Sequence, residues 1–306
     1  MKSVSASAIA TAIGLIISPV GACSRADAPA APAAAAPLTT GHFRASPGDE
    51  ILYPTRIAAA EDGTLYISDA EAGLVYGYRD GKRVIELADL DRPIAVASHG
   101  ASLYVGSAGR HRVEAYDLAQ RTYVGALDAT FQLPNAIAVA PDGALYVADS
   151  PAGVVRVFGA DGLPAQALGD LHFPVSVAVD ATQVVVGEQG TSQLAVFDRS
   201  GGRVGTLGGP VPNKVESVAD FDGRFTRIQA VVLHGGDLYV LDAYHGHVQV
   251  LDRDGASRGF FGRLGTCPTC VGLMLDLAVD RDGRFWATDP DSRRWVELHR
   301  DAEATR

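Results

Sequence analysis

The chain has 306 residues, 36 acidic against 26 basic side chains, a net charge of −10 and 34 glycines. An acidic chain without a basic stripe repels phosphate backbones, which argues against nucleic acid as a partner. Abundant glycine, modest aromatic content and no sustained helical periodicity set aside bundles and coiled coils in favour of short strands joined by tight turns.

In chain order, the first 22 residues stand apart from the fold. Lys2 gives a positive start, and Ala6–Val20 is a mostly apolar run too short to span a bilayer comfortably, the pattern of an export signal. Val20-Gly21-Ala22-Cys23 resembles a bacterial lipobox, in which the cysteine is lipidated and becomes the new N-terminus; an ordinary secretory signal cut nearby is the other reading. Ser24 resembles the signal that sends lipoproteins to the outer membrane, so the expectation is a cell-envelope protein anchored at Cys23 on the periplasmic side. Several acyl chains on one cysteine make a firm anchor where a single chain binds only marginally. Without residues 1–22, whose only charge is Lys2, the net charge moves from −10 to −11. Residues 23–40 read as a tether, because Arg25–Pro37 is almost all Ala and Pro and cannot bury enough apolar surface to fold. At about 3 Å per residue it would hold the domain up to roughly 40 Å from the membrane.

Residues 41–300 are expected to form an all-β, six-bladed propeller. The stretch Leu133–Asp149, LPNAIAVAPDGALYVAD, joins a proline, an apolar run, an Asp-Gly turn and a second β-rich run ending in an acid. An Asp-Gly pair between such runs is the strongest short-range hairpin signal, read here as a two-residue loop. Six copies align: Ile57–Asp69, Ile94–Ser107, Leu133–Asp149, Val175–Glu188, Ile228–Asp242 and Leu275–Asp289. Each continues into a third apolar run, from LVYGY at Leu74 to WVEL at Trp295, and in several a second turn leads to a weaker fourth strand. One such four-stranded antiparallel unit exposes two apolar faces, and stacking six around an axis buries them. Almost nothing follows Trp295–Leu298, so His42–Ser46 is expected to supply the fourth strand of blade six and close the ring.

These units resemble NHL repeats, whose pattern is a Pro, a Gly-Ile-Ala-Val-Asp-like strand, an Asp-Gly turn and Leu-Tyr-Val-Ala-Asp. The likeness covers about residues 50–298 and is close in the third copy: Pro134, Ile137-Ala138-Val139, Asp142-Gly143 and Leu145-Tyr146-Val147-Ala148-Asp149. It implies a propeller but no particular activity, because that family includes scaffolds, binders and enzymes. Two intervals break the period: Glu188 to Asp242 is 54 residues and Asp242 to Asp289 is 47, against 38 to 42 earlier. The excess falls in Gly208–Arg224 and around Cys267 and Cys270. Long connections often carry function, and a neutral surface insertion is equally open.

The acids ending the second strands (Asp69, Asp149, Glu188, Asp242 and Asp289, with Ser107 in blade two) suggest a carboxylate ring at first sight. One acid per blade at one structural position is instead expected to cap turn amides. His99 and His234 replace the Asp of a hairpin turn and are expected at the surface, while His245-Gly246-His247 sits in the turn into a third strand and reads as structural. Cys267-Pro-Thr-Cys270 reads as a local disulfide in an oxidising compartment. Thioredoxin-like surroundings are missing, Val271 stands where haem attachment needs a histidine, and two sulfurs make an incomplete zinc site.

The residue after each blade proline starts the innermost strand at the mouth of the channel. In NHL-type amidating lyases three such positions carry zinc-binding histidines; here Thr55, Ile94, Asn135, Val175, Ile228 and Leu275 include none, which sets that activity aside. Pro134-Asn135-Ala136 resembles the Pro-Asn-Gly motif of gluconolactonase and paraoxonase-like hydrolases, which hold a divalent cation on the axis. One ligand falls short of the six or more oxygens a hard cation wants. One residue further, Arg56, Ala136, Ser176, Gln229 and Asp276 are expected to face the channel, with Arg56 and Asp276 pairing across the seam of blades one and six. The expectation is thus a channel-mouth ligand site of Arg56, Asn135, Ser176, Gln229 and Asp276, without catalytic or metal-ligating residues and without a cofactor unless a divalent cation enters the channel. Its ligand would be a protein, peptide, small molecule or cell-wall fragment. The second reading is a metal-dependent, lactonase- or esterase-like hydrolase working in the same channel.

Overall fold

Hairpins recur where the turn residues demand them, with one residue more than expected at the Asp-Gly sites. The Ala60 N–H donates to Thr64 O at 2.8 Å, enclosing Glu61-Asp62-Gly63. Gly63 sits at φ +84°, a left-handed conformation that other residues avoid, and Asp62 Oδ1 accepts the Thr64 N–H at 2.9 Å. Pro141-Asp142-Gly143 and Arg281-Asp282-Gly283 close in the same way. Three-residue loops ending in a left-handed glycine are the hairpin class next to two-residue ones. Gly100-Ala101 and Gly235-Gly236 keep the two-residue form.

The structure is a computed structural model that describes residues 42–43, 51–262 and 272–299. The expected anchor at Cys23, the tether and the Cys267–Cys270 disulfide lie outside the described residues. Six antiparallel sheets follow one another along the chain, each meandering outward from an innermost strand. The innermost strands are Pro54–Ala59, Pro93–His99, Pro134–Val139, Pro174–Val179, Ile228–His234 and Asp276–Val279. Blades two to five have four strands, and blade six has three among the described residues. The two-residue strand His42–Phe43 does not join blade six as expected; it pairs with Ala88 and Leu87 on the outer edge of blade one.

The core lies between blades, where the repeat arithmetic puts it. Tyr146, Val155, Val157 and Leu168 of blade three pack against Val177, Val184, Val186 and Phe197 of blade four. Equivalent clusters fill the spaces between two and three, four and five, five and six, and one and two. At the seam, Ile57, Leu65 and Ile67 of blade one meet Ala278, Trp286 and Trp295 of blade six, and Tyr78 packs at a tilt against Trp295 with ring centres 4.3 Å apart. Each of these clusters straddles two blades, so the blades cover one another's apolar faces.

The second-strand acids cap backbone amides. Asp149 is fully buried and accepts the N–H groups of Gln132 and Leu133 in the connection from blade two. Asp69 does this for Leu52 and Ala72, and Asp242 for Thr226, Arg227 and Tyr244. In blade two Ser107 serves instead, accepting from Arg110 N–H and donating to Asp91 O. No carboxylate ring exists at this level because each acid turns into its own loop.

Candidate functional site

The inner strands of blades one to five each begin with a bulge that sets the chemistry of the axis. In blade three Pro134 pairs with Asp149 and Ala136 with Ala148, so Asn135 is skipped. The same step leaves out Thr55, Ile94, Val175 and Gln229. Gln229 therefore belongs with Asn135 rather than with Arg56, Ser176 and Asp276, where the sequence had suggested it. Blade five lacks the proline, and Ile228 takes its register opposite Asp242. The skipped residues turn their carbonyl groups to the axis.

Arg56 fills that ring. Its Nε donates to Ile94 O and Asn135 O at 3.2 and 3.1 Å. Nη1 donates to Leu275 O at 2.8 Å and to Gln229 O at 3.5 Å, and Nη2 to Val175 O at 3.2 Å and Asn135 Oδ1 at 2.9 Å. One guanidinium from blade one thus holds a carbonyl from each of the other five blades, and all five of its N–H bonds are used. The sixth carbonyl, Thr55 O, accepts from Thr288 Oγ1. Arg56 is 4% exposed, so the expected channel mouth is closed at this level by a buried cation.

Asp276 is its counter-ion across the seam, with Oδ1 3.7 Å from Arg56 Nη1 and Oδ2 accepting the Ile57 N–H at 2.9 Å. Burial raises the Asp276 pKa and the guanidinium pulls against that shift; burial lowers the Arg56 pKa while Asp276 opposes it. Ser176 Oγ accepts the Val231 N–H at 2.9 Å, and Gln229 Oε1 accepts from Gln189 Nε2 at 2.7 Å. The five expected site residues are therefore gathered round one axis, each with an intramolecular partner. The Asn135 oxygen and the carbonyl ring that a hard cation would use are engaged by a fixed positive charge. The donor set at this level does not fit a divalent metal.

Beyond Arg56 the channel opens into a well of about 230 Å³ that runs along Ile57–Ala59 and the equivalent residues of the other blades. Its walls mix alanines such as Ala58, Ala97 and Ala138 with branched residues such as Val96, Ile137 and Val177, and its floor is Arg56, Ser176 and Asp276. Ser98 Oγ, also on this lining, is buried with no hydrogen-bond partner among the described residues. Sequence alone placed the site at the beginning of the inner strands; the cavity lies along their remaining length.

The histidines stand elsewhere. His99 and His234 are half-buried rather than exposed, and His234 packs edge-on to Phe285 at 6.1 Å. His245 meets Thr226 Oγ1 through Nε2 at 2.8 Å and stacks on His247 at 5.6 Å. Phe221, in the short helix of the long connection, lies edge-on to His245 at 4.8 Å, so the extra residues after Gly208 brace the His-Gly-His turn. No group of three or more His, Cys, Asp or Glu side chains is placed to hold a metal among the described residues. Burial is the main cause that lowers the His247 pKa to about 4, with Asp242 opposing and His245 assisting. The unfolded chain takes up this proton near pH 6.5 and the native chain only near 4. Stability should therefore fall by about 2–3 kcal/mol as the pH drops through that window. Urea midpoints at pH 7 and 4.5 should show this loss, and His247→Gln should lose that much less.

Neither a protein-family model nor a curated protein sequence matches this chain. Solved structures do resemble it. A gluconolactonase, XC5397 from Xanthomonas campestris, is 21% identical with a TM-score of 0.63, over 82% of this chain and 86% of its own. A streptogramin B lyase is 12% identical with a TM-score of 0.58, over 85% and 97%. A chain of a nidogen/laminin complex is 19% identical with a TM-score of 0.57, over 68% and 79%. At such identities the likeness is one of fold: this chain is a six-bladed β-propeller, an architecture it shares with two enzymes and with a component of a protein complex.

Proposed function

We propose that this chain is a binding module, an NHL-type propeller held by a lipid at Cys23 and an Ala/Pro tether on the periplasmic side of a bacterial outer membrane. Its axial well captures a protein, peptide or cell-wall-derived ligand, and a disulfide between Cys267 and Cys270 pins the connection before blade six. The observation that carries the reading is the Arg56 guanidinium, whose donors are all spent on blade carbonyls. With the guanidinium satisfied, the well is suited to hold a ligand in place. It offers neither an activated nucleophile nor a poised acid–base pair.

A metal-dependent hydrolase of lactonase or esterase type is the second reading, favoured by Pro134-Asn135-Ala136 at the axis and by the fold shared with a gluconolactonase. Elemental analysis of chelator-free protein, together with turnover of gluconolactone and p-nitrophenyl acetate, separates the two. The binding module should carry no stoichiometric metal and leave both substrates at the buffer rate. A stoichiometric divalent ion with turnover lost in Asn135→Ala would establish the hydrolase instead.

A further inference from the structure

Alternation along an antiparallel strand decides which backbone groups meet the axis. Ala60, Ala140, Asp180 and Asp280 donate across their hairpin loops to Thr64, Ala144, Gln183 and Arg284. Counting back in twos, every second residue of the inner strands bonds to its neighbour strand, and the others turn N–H and C=O inward. The inward set is Ile57, Val96, Ile137, Val177, Val231 and Leu277. Two bonds show this orientation directly: Ile57 N–H to Asp276 Oδ2, and Val231 N–H to Ser176 Oγ.

In both cases the side chain of one blade caps the amide of the next, six to one and four to five. The residues at the same register in blades one, two and three are Arg56, Ala95 and Ala136. Arginine has no acceptor and alanine has no polar atom, so Val96, Ile137 and Val177 are left uncapped among the described residues. The Leu277 amide lies beside the Asp276 carboxylate of its own blade. Three consecutive blades therefore present inward N–H groups beside a buried guanidinium, on the far side of the axis from Asp276. Amides that face a well in this way are free to take an acceptor from a ligand.

We propose that the amides of Val96, Ile137 and Val177 bind the carboxylate of an amino acid or of a peptide C-terminus at the floor of the well. This rests on the binding-module reading above and names the ligand. The carboxylate would sit with the guanidinium between it and Asp276. One step towards the opening, the inward carbonyls of the same residues form an acceptor layer. A ligand whose carboxylate is followed by an N–H matches that order of donors and acceptors. The mixed alanine and branched aliphatic walls suit a small apolar C-terminal side chain. A volume near 230 Å³, roughly seven or eight waters' worth of liquid, suits one or two small residues.

The test is amide NMR on the full chain with three probes: alanine, Ala-Ala, and Ala-Ala amidated at its C-terminus. Ala-Ala or alanine should shift the Val96, Ile137 and Val177 resonances saturably, the stronger of the two naming a peptide end or a free amino acid as the source. The amidated peptide should bind at least tenfold more weakly. Ala136→Ser places a hydroxyl where Ser176 already has one and caps Val177 from within. It should weaken binding at least tenfold with an unchanged melting temperature, and Ser176→Ala, which uncaps Val231, should not. Equal binding of the acid and the amide, unperturbed resonances of the three amides, or an indifferent Ala136→Ser variant would each overturn the carboxylate assignment. Those outcomes leave the binding-module reading standing, because that reading fails on metal content and lactone turnover instead.

Discussion

Arg56→Met is expected to lower stability by about 4 kcal/mol, the cost typical of breaking a buried ion pair by removing one partner. The change strands carbonyl groups from five blades together with the Asp276 carboxylate and supplies no donor in place of the guanidinium. A loss of this size corresponds to a melting-temperature drop of about 8–16 °C for a domain of 150–250 residues. Arg56→Lys keeps the charge but carries three donors on one nitrogen, which cannot reach a ring of carbonyls, so it should recover less than half of the loss. Asp276→Asn neutralises the orphaned carboxylate yet still accepts from Ile57. Added to Arg56→Met it should restore about 1–2 kcal/mol, a coupling that a double-mutant cycle by calorimetry would read. Equal melting of Arg56→Met and the parent chain would mean that the guanidinium does not hold the ring.

Asp149→Ala is the second large effect, at about 3 kcal/mol. Its carboxylate has no solvent exposure and accepts from Gln132 N at 3.0 Å and Leu133 N at 2.8 Å, fixing the connection that delivers Pro134 to the axis. Alanine leaves two buried donors without an acceptor and opens a cavity beside them. Asp149→Asn keeps one acceptor oxygen and should cost about half as much. Denaturant midpoints with unchanged slope check both. The variant should also disturb the amides of Ile137 and its neighbours, since the connection aligns the inner strand of blade three.

The ring of six was legible because its cause is local: Asp-Gly turns, alternating apolar runs and an acid at one position recur at a steady interval. The role of the acids followed from that periodicity, since a residue repeated in every blade serves the blade. The pairing of Arg56 with Asp276 was legible too, once the two blades were taken as neighbours. What escaped was set by register. The bulge that skips Asn135 and Gln229 leaves no residue type as its mark in blade five, where Ile228 replaces proline. Without it, Gln229 was placed one position out and the carbonyl ring was invisible. The turn of Arg56 across the axis depends on that ring, so a side chain read as lining an opening proved to close it. His42–Phe43 went to blade one because pairing there needs only a bare strand edge, which no local residue pattern specifies.

Repeat proteins ordinarily couple each unit to its two neighbours alone, so that they can assemble or fray piecemeal. The central guanidinium changes that rule, because a residue near position 56 bonds to one near 275 and to every blade between. A partial ring carries an unmatched cation in a dry place until the last blade arrives. The loop closure this requires spans most of the chain. Such a molecule should assemble slowly and come apart as one cooperative piece.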